Sequence, residues 1–408
     1  MDPIRLERHG NHMTLTWKTR ILILAAMVAV VAAFVVGLRA TRHDVPTTSP
    51  SAADDEMLGI RGAVVGRPSP EIVGIEAWVN SQPRSIKDLK GKVVLVDFWT
   101  YTCINCIRTF PYLRSWYDKY TADGLAIIGV HTPEFAFERD LNNVKEAAQR
   151  YGLKYPIALD NTRSTWTNFD NQYWPRKYLI DKNGVVRFDH IGEGGYEQVE
   201  GWIKRLLEET GATVKDVPTV KDPDHGGAGL FRLVTQELYA GTRGYVSGNI
   251  GNVDEYRANI QTSADGHSSL VPTAASYTWP DKPSLDVFYL KGVWEGREES
   301  IRHARTTTNY EDAILLDYKG ASVVLVIRPE RAEPFDLLVT LDGEPLNSIT
   351  KGKDANIGSD GRSYVHVDVP RAYNIVNAPE FGAHRLVIFA NSDAFSFFAF
   401  TFGVGPEP

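Results

Sequence analysis

Cysteine is almost missing from this chain: its 408 residues include two, Cys103 and Cys106. There is no second Cys-x-x-Cys and no histidine pair at ligand spacing, so the four ligands of a structural zinc site are lacking. Haem attachment through these cysteines is excluded too, because the residue after the second is Ile107 and not histidine. Basic charge is also short. A formal net charge of -7 with no basic stripe leaves nothing to hold a nucleic-acid backbone. No proline precedes Cys103 at short range, which removes the loop a thiol peroxidase needs, and no internal repeat is present.

What is there is concentrated between Val93 and Cys106. Val93-Val94-Leu95-Val96-Asp97-Phe98-Trp99 is a short, nearly continuous apolar run, the pattern of a buried strand in a parallel sheet. The two cysteines follow at i, i+3 and open a helical pattern through Ile107, Phe110, Leu113 and Tyr117. A Cys-x-x-Cys at a strand-to-helix junction reads as a redox-active dithiol. The free N–H groups and positive dipole end of a helix favour thiolate over thiol. Cys103 is therefore expected to have a lowered pKa and to act as nucleophile, with Cys106, one turn further in, as the resolving thiol. No cofactor or metal is expected beyond the Cys103–Cys106 disulfide itself.

Val-Asp-Phe-Trp followed by Cys-x-x-Cys resembles the thioredoxin superfamily. The longer string Trp99-Thr-Tyr-Thr-Cys-Ile-Asn-Cys106, with Gly129-Val-His-Thr-Pro-Glu-Phe135 downstream, is similar to the periplasmic part of DipZ-type proteins, relatives of the TlpA and ResA thioredoxins. The resemblance covers roughly residues 60–408. It implies a thioredoxin-like α/β domain followed by a β-sandwich resembling a carbohydrate-binding module. It also implies a thiol–disulfide oxidoreductase, a reductase rather than an oxidase, acting on protein disulfides or dithiols. A membrane electron donor and a link to cytochrome c biogenesis belong to the same resemblance. The chain departs from the DipZ pattern in lacking the polytopic membrane domain. Asn105 stands where many thioredoxins carry proline, and Thr109 where some cytochrome-maturation relatives carry glutamate.

Residues 21–38 are uncharged, apolar and long enough to span a bilayer. Arg5, Arg8, Lys18 and Arg20 precede them, so residues 1–20 are expected in the cytoplasm and the rest outside the cytoplasmic membrane, in the periplasm or beyond. The apolar stretch is longer than most signal-peptide cores and no clear small-x-small cleavage site follows it, which favours a single-pass transmembrane anchor over a signal peptide. Residues 39–60 read as a flexible tether. Strands and helices alternate from 61 to 210, with a two-residue hairpin signal at Asn183-Gly184, predicting the α/β domain. Residues 211–228 lack periodicity and read as a linker. From 229 to 408, short segments such as 314–318, 322–327 and 384–389 recur between turns, which suggests an all-β, jelly-roll-like sandwich.

By the thioredoxin resemblance, Asp97 occupies the place of a buried aspartate. Burial raises a carboxyl pKa, so Asp97 is expected to take the proton of Cys106. Pro175 matches the family's cis-proline, and Trp174 before it would offer its backbone to an extended substrate. Trp99 and Tyr101 are expected to wall the site. His131 and Glu134 end the neighbouring parallel strand at the same sheet edge, which makes them candidates for a proton relay. Tyr239, Tyr245, Trp279, Tyr289 and Trp294 are candidates for a sugar-stacking platform; packing in the sandwich core or the domain interface is the favoured alternative. The rival function is therefore a cell-envelope glycan-binding protein with an ancillary thioredoxin domain.

Overall fold

The β-branched run forms the strand its pattern predicts. In the computed structural model, which describes residues 64–214, 217–221, 233–257, 260–262, 268–270, 273–405 and 407, Val93–Trp99 is a strand buried along its whole length. We call it β2. Its side chains alternate between two cores: Val93, Leu95 and Trp99 enter one, and Val94, Val96 and Phe98 the other. The expected anchor, 21–38, and its flanks 1–20 and 39–60 lie outside the described residues. Among the described residues no helix is long and apolar enough to cross a membrane.

Around β2 lie β1 (Trp78–Val79), β3 (Leu125–His131), β4 (Ile157–Leu159), β5 (Arg176–Ile180) and β6 (Val186–Ile191), in the order β1-β4-β3-β2-β5-β6. Strands β2, β3 and β4 run parallel, while β1, β5 and β6 are antiparallel to their neighbours. Helices α1 (Ile104–Tyr120), α2 (Leu141–Arg150) and α4 (Tyr196–Thr210) send side chains into the core that holds Trp99. The short α3 (Ser164–Asn168) helps cover the opposite core, where Phe98 meets Trp166, Phe169 and Tyr178 edge-on. The turn between β5 and β6 is wider than the two-residue hairpin expected at Asn183-Gly184. The Asp181 carboxylate accepts the N–H groups of Asn183 and Val185 at 2.9 and 3.0 Å, an Asx-type turn that needs the extra residues.

The expected linker is partly structured. Val214 is fully buried, Val220 N–H donates to Glu200 at 2.8 Å, and Lys119 donates to the Pro218 carbonyl at 2.8 Å. The first half of the segment is therefore laid along α1 and α4.

The C-terminal part is β-rich rather than all-β, since two short helices, α5 (Gly241–Val246) and α6 (Val253–Arg257), precede its main strands. The segments 314–318 and 322–327 are one strand, Asp312–Pro329, and 384–389 ends another, Arg371–Ala390. The two pair antiparallel along their length, with a register shift between Gly320 and Ser322. Gly320 reads as a turn in the sequence, but a strand glycine can equally mark a bulge, and here it does. The first half of Asp312–Pro329 pairs with the strand Val287–Gly296 and the second half with Phe395–Gly403, so one ribbon serves two regions of sheet.

The two parts share a core. Phe135 and Phe137, just beyond β3, both meet Phe398 of the C-terminal part edge-on, at 5.1 and 4.8 Å between ring centroids. Val324, Val326 and Ala372 join Trp99 and Tyr101 in the same apolar cluster. The β-rich part is thus docked on the loop that borders the cysteines.

Candidate active site

A helix must satisfy its first N–H groups, and in α1 a cysteine does so. Cys103 is the N-cap residue, in extended conformation, and its Sγ accepts the N–H of Cys106 at 3.2 Å. Cys103 is half-buried and Cys106 fully buried, which suits an attacking and a resolving thiol. The expected lowering of the Cys103 pKa is not what the surroundings give. Burial, the neighbouring Cys106 and the Glu134 carboxylate push this thiol well up, against the downward pull of the Cys106 N–H.

Asp97 lies on the β2 face that carries Leu95 and Trp99, which is the face Cys106 packs against. It is fully buried, and Lys177 Nζ from β5 stands 3.2 Å from its Oδ1. Among the described residues no hydrogen bond of good geometry reaches either Asp97 oxygen or the Lys177 ammonium. Burial raises the Asp97 carboxyl pKa, with Lys177 pulling the other way. A buried acid left short of partners is a costly arrangement, of the kind found where protons are moved.

The peptide bond between Trp174 and Pro175 is cis. The Trp174 indole N–H donates to the Thr132 carbonyl at 3.0 Å, and the ring lies against Trp166 and under Arg163. Trp99 and Tyr101 do not wall the site. Both are buried in the core, Trp99 edge-on to Phe110 of α1 and Tyr101 edge-on to Phe137, which Phe398 of the C-terminal part meets in turn.

The two relay candidates separate. His131 is fully buried between Trp99 and Tyr101, with Nε2 3.3 Å from Thr100 Oγ1. Burial lowers its pKa to about 3, so the ring stays neutral across the physiological range and is a packing element, not a relay. Glu134 is close enough to act on the Cys103 thiol, and it is held from the other domain. The Tyr239 hydroxyl is 2.9 Å from Glu134 Oε1, and Arg243 donates to the same oxygen at 2.7 Å.

Glu138 is the residue the sequence did not single out. Its carboxylate, fully buried, accepts the N–H groups of Glu134 and Phe135 at 2.6 and 2.9 Å and the hydroxyl of Thr102, the residue before Cys103. The available signal was an acid closing the apolar string Phe135-Ala136-Phe137. Burial raises its pKa from 4.5 to about 7. A folded-state pKa above the unfolded one means that the folded protein binds the extra proton, so stability falls as pH rises from about 4.5 to 7. Glu138→Gln, an isostere of the protonated acid, is expected to remove that fall. In denaturant titrations at pH 5 and pH 8, the wild type should lose up to about 3 kcal/mol more than the variant between the two conditions.

The five aromatic residues proposed as a platform do not share a surface. Trp294 is fully buried beside His303 and Phe395, Tyr289 is buried, and Tyr239 is engaged at the domain interface. Only the packing alternative describes these three. Among the described residues no group of three or more His, Cys, Asp or Glu is placed to hold a metal ion.

Comparison with known proteins agrees with this geometry. Residues 64–200 match the Redoxin family model, and residues 256–403 match that of a thioredoxin-like C-terminal domain. Protein DipZ of Mycobacterium tuberculosis is 36% identical over 281 residues, covering 68% of this chain and 37% of that protein. Thiol-disulfide oxidoreductase YkuV of Bacillus subtilis is 31% identical over 144 residues, 35% of this chain and 97% of its own length. Thiol-disulfide oxidoreductase ResA of Bacillus thuringiensis is 34% identical over 142 residues, 35% of this chain and 78% of its own. The chain thus spans a little over a third of the DipZ length while covering most of the two shorter relatives. With the dithiol at the mouth of α1 and a β-rich domain docked beside it, the chain belongs to the thioredoxin-like thiol–disulfide oxidoreductase family.

Proposed function

We propose that the protein is a thiol–disulfide oxidoreductase working as a reductase, held outside the cytoplasm by the apolar segment 21–38. The observation that carries the exchange chemistry is the 3.2 Å contact of the Cys106 N–H with the sulfur of half-buried Cys103. Cys103, as thiolate, attacks one sulfur of a protein disulfide and releases the other as a thiolate that takes up a proton. Cys106 then gives its proton to Asp97 and attacks the Cys103 sulfur. That attack breaks the mixed disulfide, and the second substrate sulfur leaves as a thiolate that takes up the proton held by Asp97. The substrate departs as a dithiol, and the enzyme, two electrons poorer, keeps a Cys103–Cys106 disulfide. A membrane electron donor returns it to the dithiol.

The surroundings of the thiols support the reductase direction. A pair whose reduced form is stabilised by an acidic thiolate is an oxidant. Burial and the Glu134 charge do the opposite at Cys103, disfavouring the thiolate and making the dithiol the readier electron donor. The Cys106 N–H alone would not tip the balance the other way. In dithiothreitol-coupled reduction of insulin, the wild type is expected to turn over and Cys103→Ser to be inactive. Turnover that survives Cys103→Ser would refute the assignment.

A further inference from the structure

A cleft of about 590 Å³ opens beside the redox pair, within the size range of ligand sites. One wall comes from the thioredoxin-like domain: Asn105, which lies between the two cysteines, Arg108 one turn along α1, and the ring of Tyr112 stacked on Tyr196 at 3.5 Å. The other wall comes from the C-terminal part, from residues 234–237 and 401–405 with Glu407. The walls are tied together at the cleft itself. Arg108 Nε donates to Glu407 Oε2 at 2.7 Å, a second N–H reaches Glu407 Oε1, and Nη1 donates to Glu193 at 2.7 Å and to Asn105 Oδ1 at 3.0 Å. Thr401 donates to Glu237 at 3.0 Å on the far wall.

Two features define what fits. The cleft begins at Asn105, within the dipeptide between the cysteines, which places it in reach of the residues flanking a disulfide attacked by Cys103. Its charge is one-sided: Glu193 and Glu407 share the single guanidinium of Arg108, leaving a surplus carboxylate, and Glu237 on the far wall adds a carboxyl whose pKa burial raises to about 7. A flat aromatic side and surplus negative charge suit a peptide segment carrying lysine or arginine, and disfavour one carrying aspartate or glutamate.

We propose that this cleft is the specificity subsite for the polypeptide disulfide, that the C-terminal domain supplies its outer wall, and that it selects substrates with a basic residue beside the reactive cysteine. The assignment rests on the exchange chemistry proposed above. It gives the β-rich domain a part in substrate choice that does not require a sugar.

The test uses the full chain and three disulfides: a small aromatic nitrothiobenzoate disulfide, and two cyclic peptide disulfides identical except for lysine or glutamate next to one cysteine. The small disulfide reports exchange without the cleft. The wild type should reduce it, and should show kcat/KM about fivefold higher for the lysine peptide than for the glutamate peptide. Gly405→Lys places a cation on the outer wall, where an added Cβ meets nothing within 4 Å, and should erase or invert that ratio. Gln236→Lys, exposed on the same wall, should act in the same direction. Reduction of the small disulfide with equal rates on both peptides would overturn the subsite and leave exchange standing, as would a preference that neither substitution moves. A protein that reduces none of the three loses both readings.

Discussion

Serine in place of Cys106 is expected to stop turnover while leaving the first chemical step intact. Cys103 still attacks the substrate disulfide, but the second attack, which would release the dithiol and close the ring, has no sulfur to make it. Multiple-turnover reduction should fall by roughly 10³-fold or more, the scale on which loss of one member of a covalent-catalysis unit is felt. The substrate should remain on the enzyme as a mixed disulfide that is stable to gel electrophoresis without reductant and is released by dithiothreitol. Cys103→Ser should show neither turnover nor trapping. The asymmetry comes from burial: Cys103 is half-buried and Cys106 is inaccessible, so only one of them can meet a partner first. A Cys106→Ser protein that traps nothing, with Cys103→Ser trapping instead, would reverse the assigned roles.

Lys177→Met should be among the most damaging substitutions away from the sulfurs. It leaves Asp97 buried, ionisable and without its 3.2 Å counter-charge. Removing one member of a buried pair costs about 3–5 kcal/mol, because the other is stranded. Replacing both, with Asp97→Leu and Lys177→Met together, should recover most of that stability, since an apolar pair of similar volume often does as well as the ions. It should not recover the second chemical step. Rapid-quench sampling is expected to show mixed disulfide accumulating in the double variant even though it is as stable as the wild type. If the double variant resolves the intermediate at the wild-type rate, Asp97 is a structural ion only.

The legible part of the molecule is where local pattern and final environment agree. The run Val93–Trp99 is apolar on both faces because two cores flank it, and Cys103 caps α1 because a strand-to-helix junction offers a thiol free N–H groups. Burial of Asp97 was implied by the thioredoxin resemblance, though not Lys177, which reaches it across from β5. Part of what differs traces to the docking of the C-terminal domain. Tyr101 looks like a site wall until Phe137, itself met by Phe398 of the C-terminal part, packs on its edge, while Trp99 is taken up by Phe110 of α1. The same docking brings Tyr239 and Arg243 onto Glu134, more than a hundred positions away in the chain, and so sets the charge beside Cys103. No local periodicity encodes such a long-range meeting. Glu138 escaped notice because its partners are backbone N–H groups, to which a sequence gives no residue type.

The central claim, that Cys103 and Cys106 form one two-electron couple that donates to substrates, is tested most directly by redox titration. The full chain would be equilibrated in dithiothreitol buffers, its free thiols alkylated, and the product masses counted. Interconversion of only two species, dithiol and intramolecular disulfide, is predicted, with a midpoint at or below about -200 mV, on the reducing side of protein disulfide isomerase. Failure to form the internal disulfide would contradict the couple, and a midpoint near about -120 mV, that of a strong oxidant, would contradict its direction.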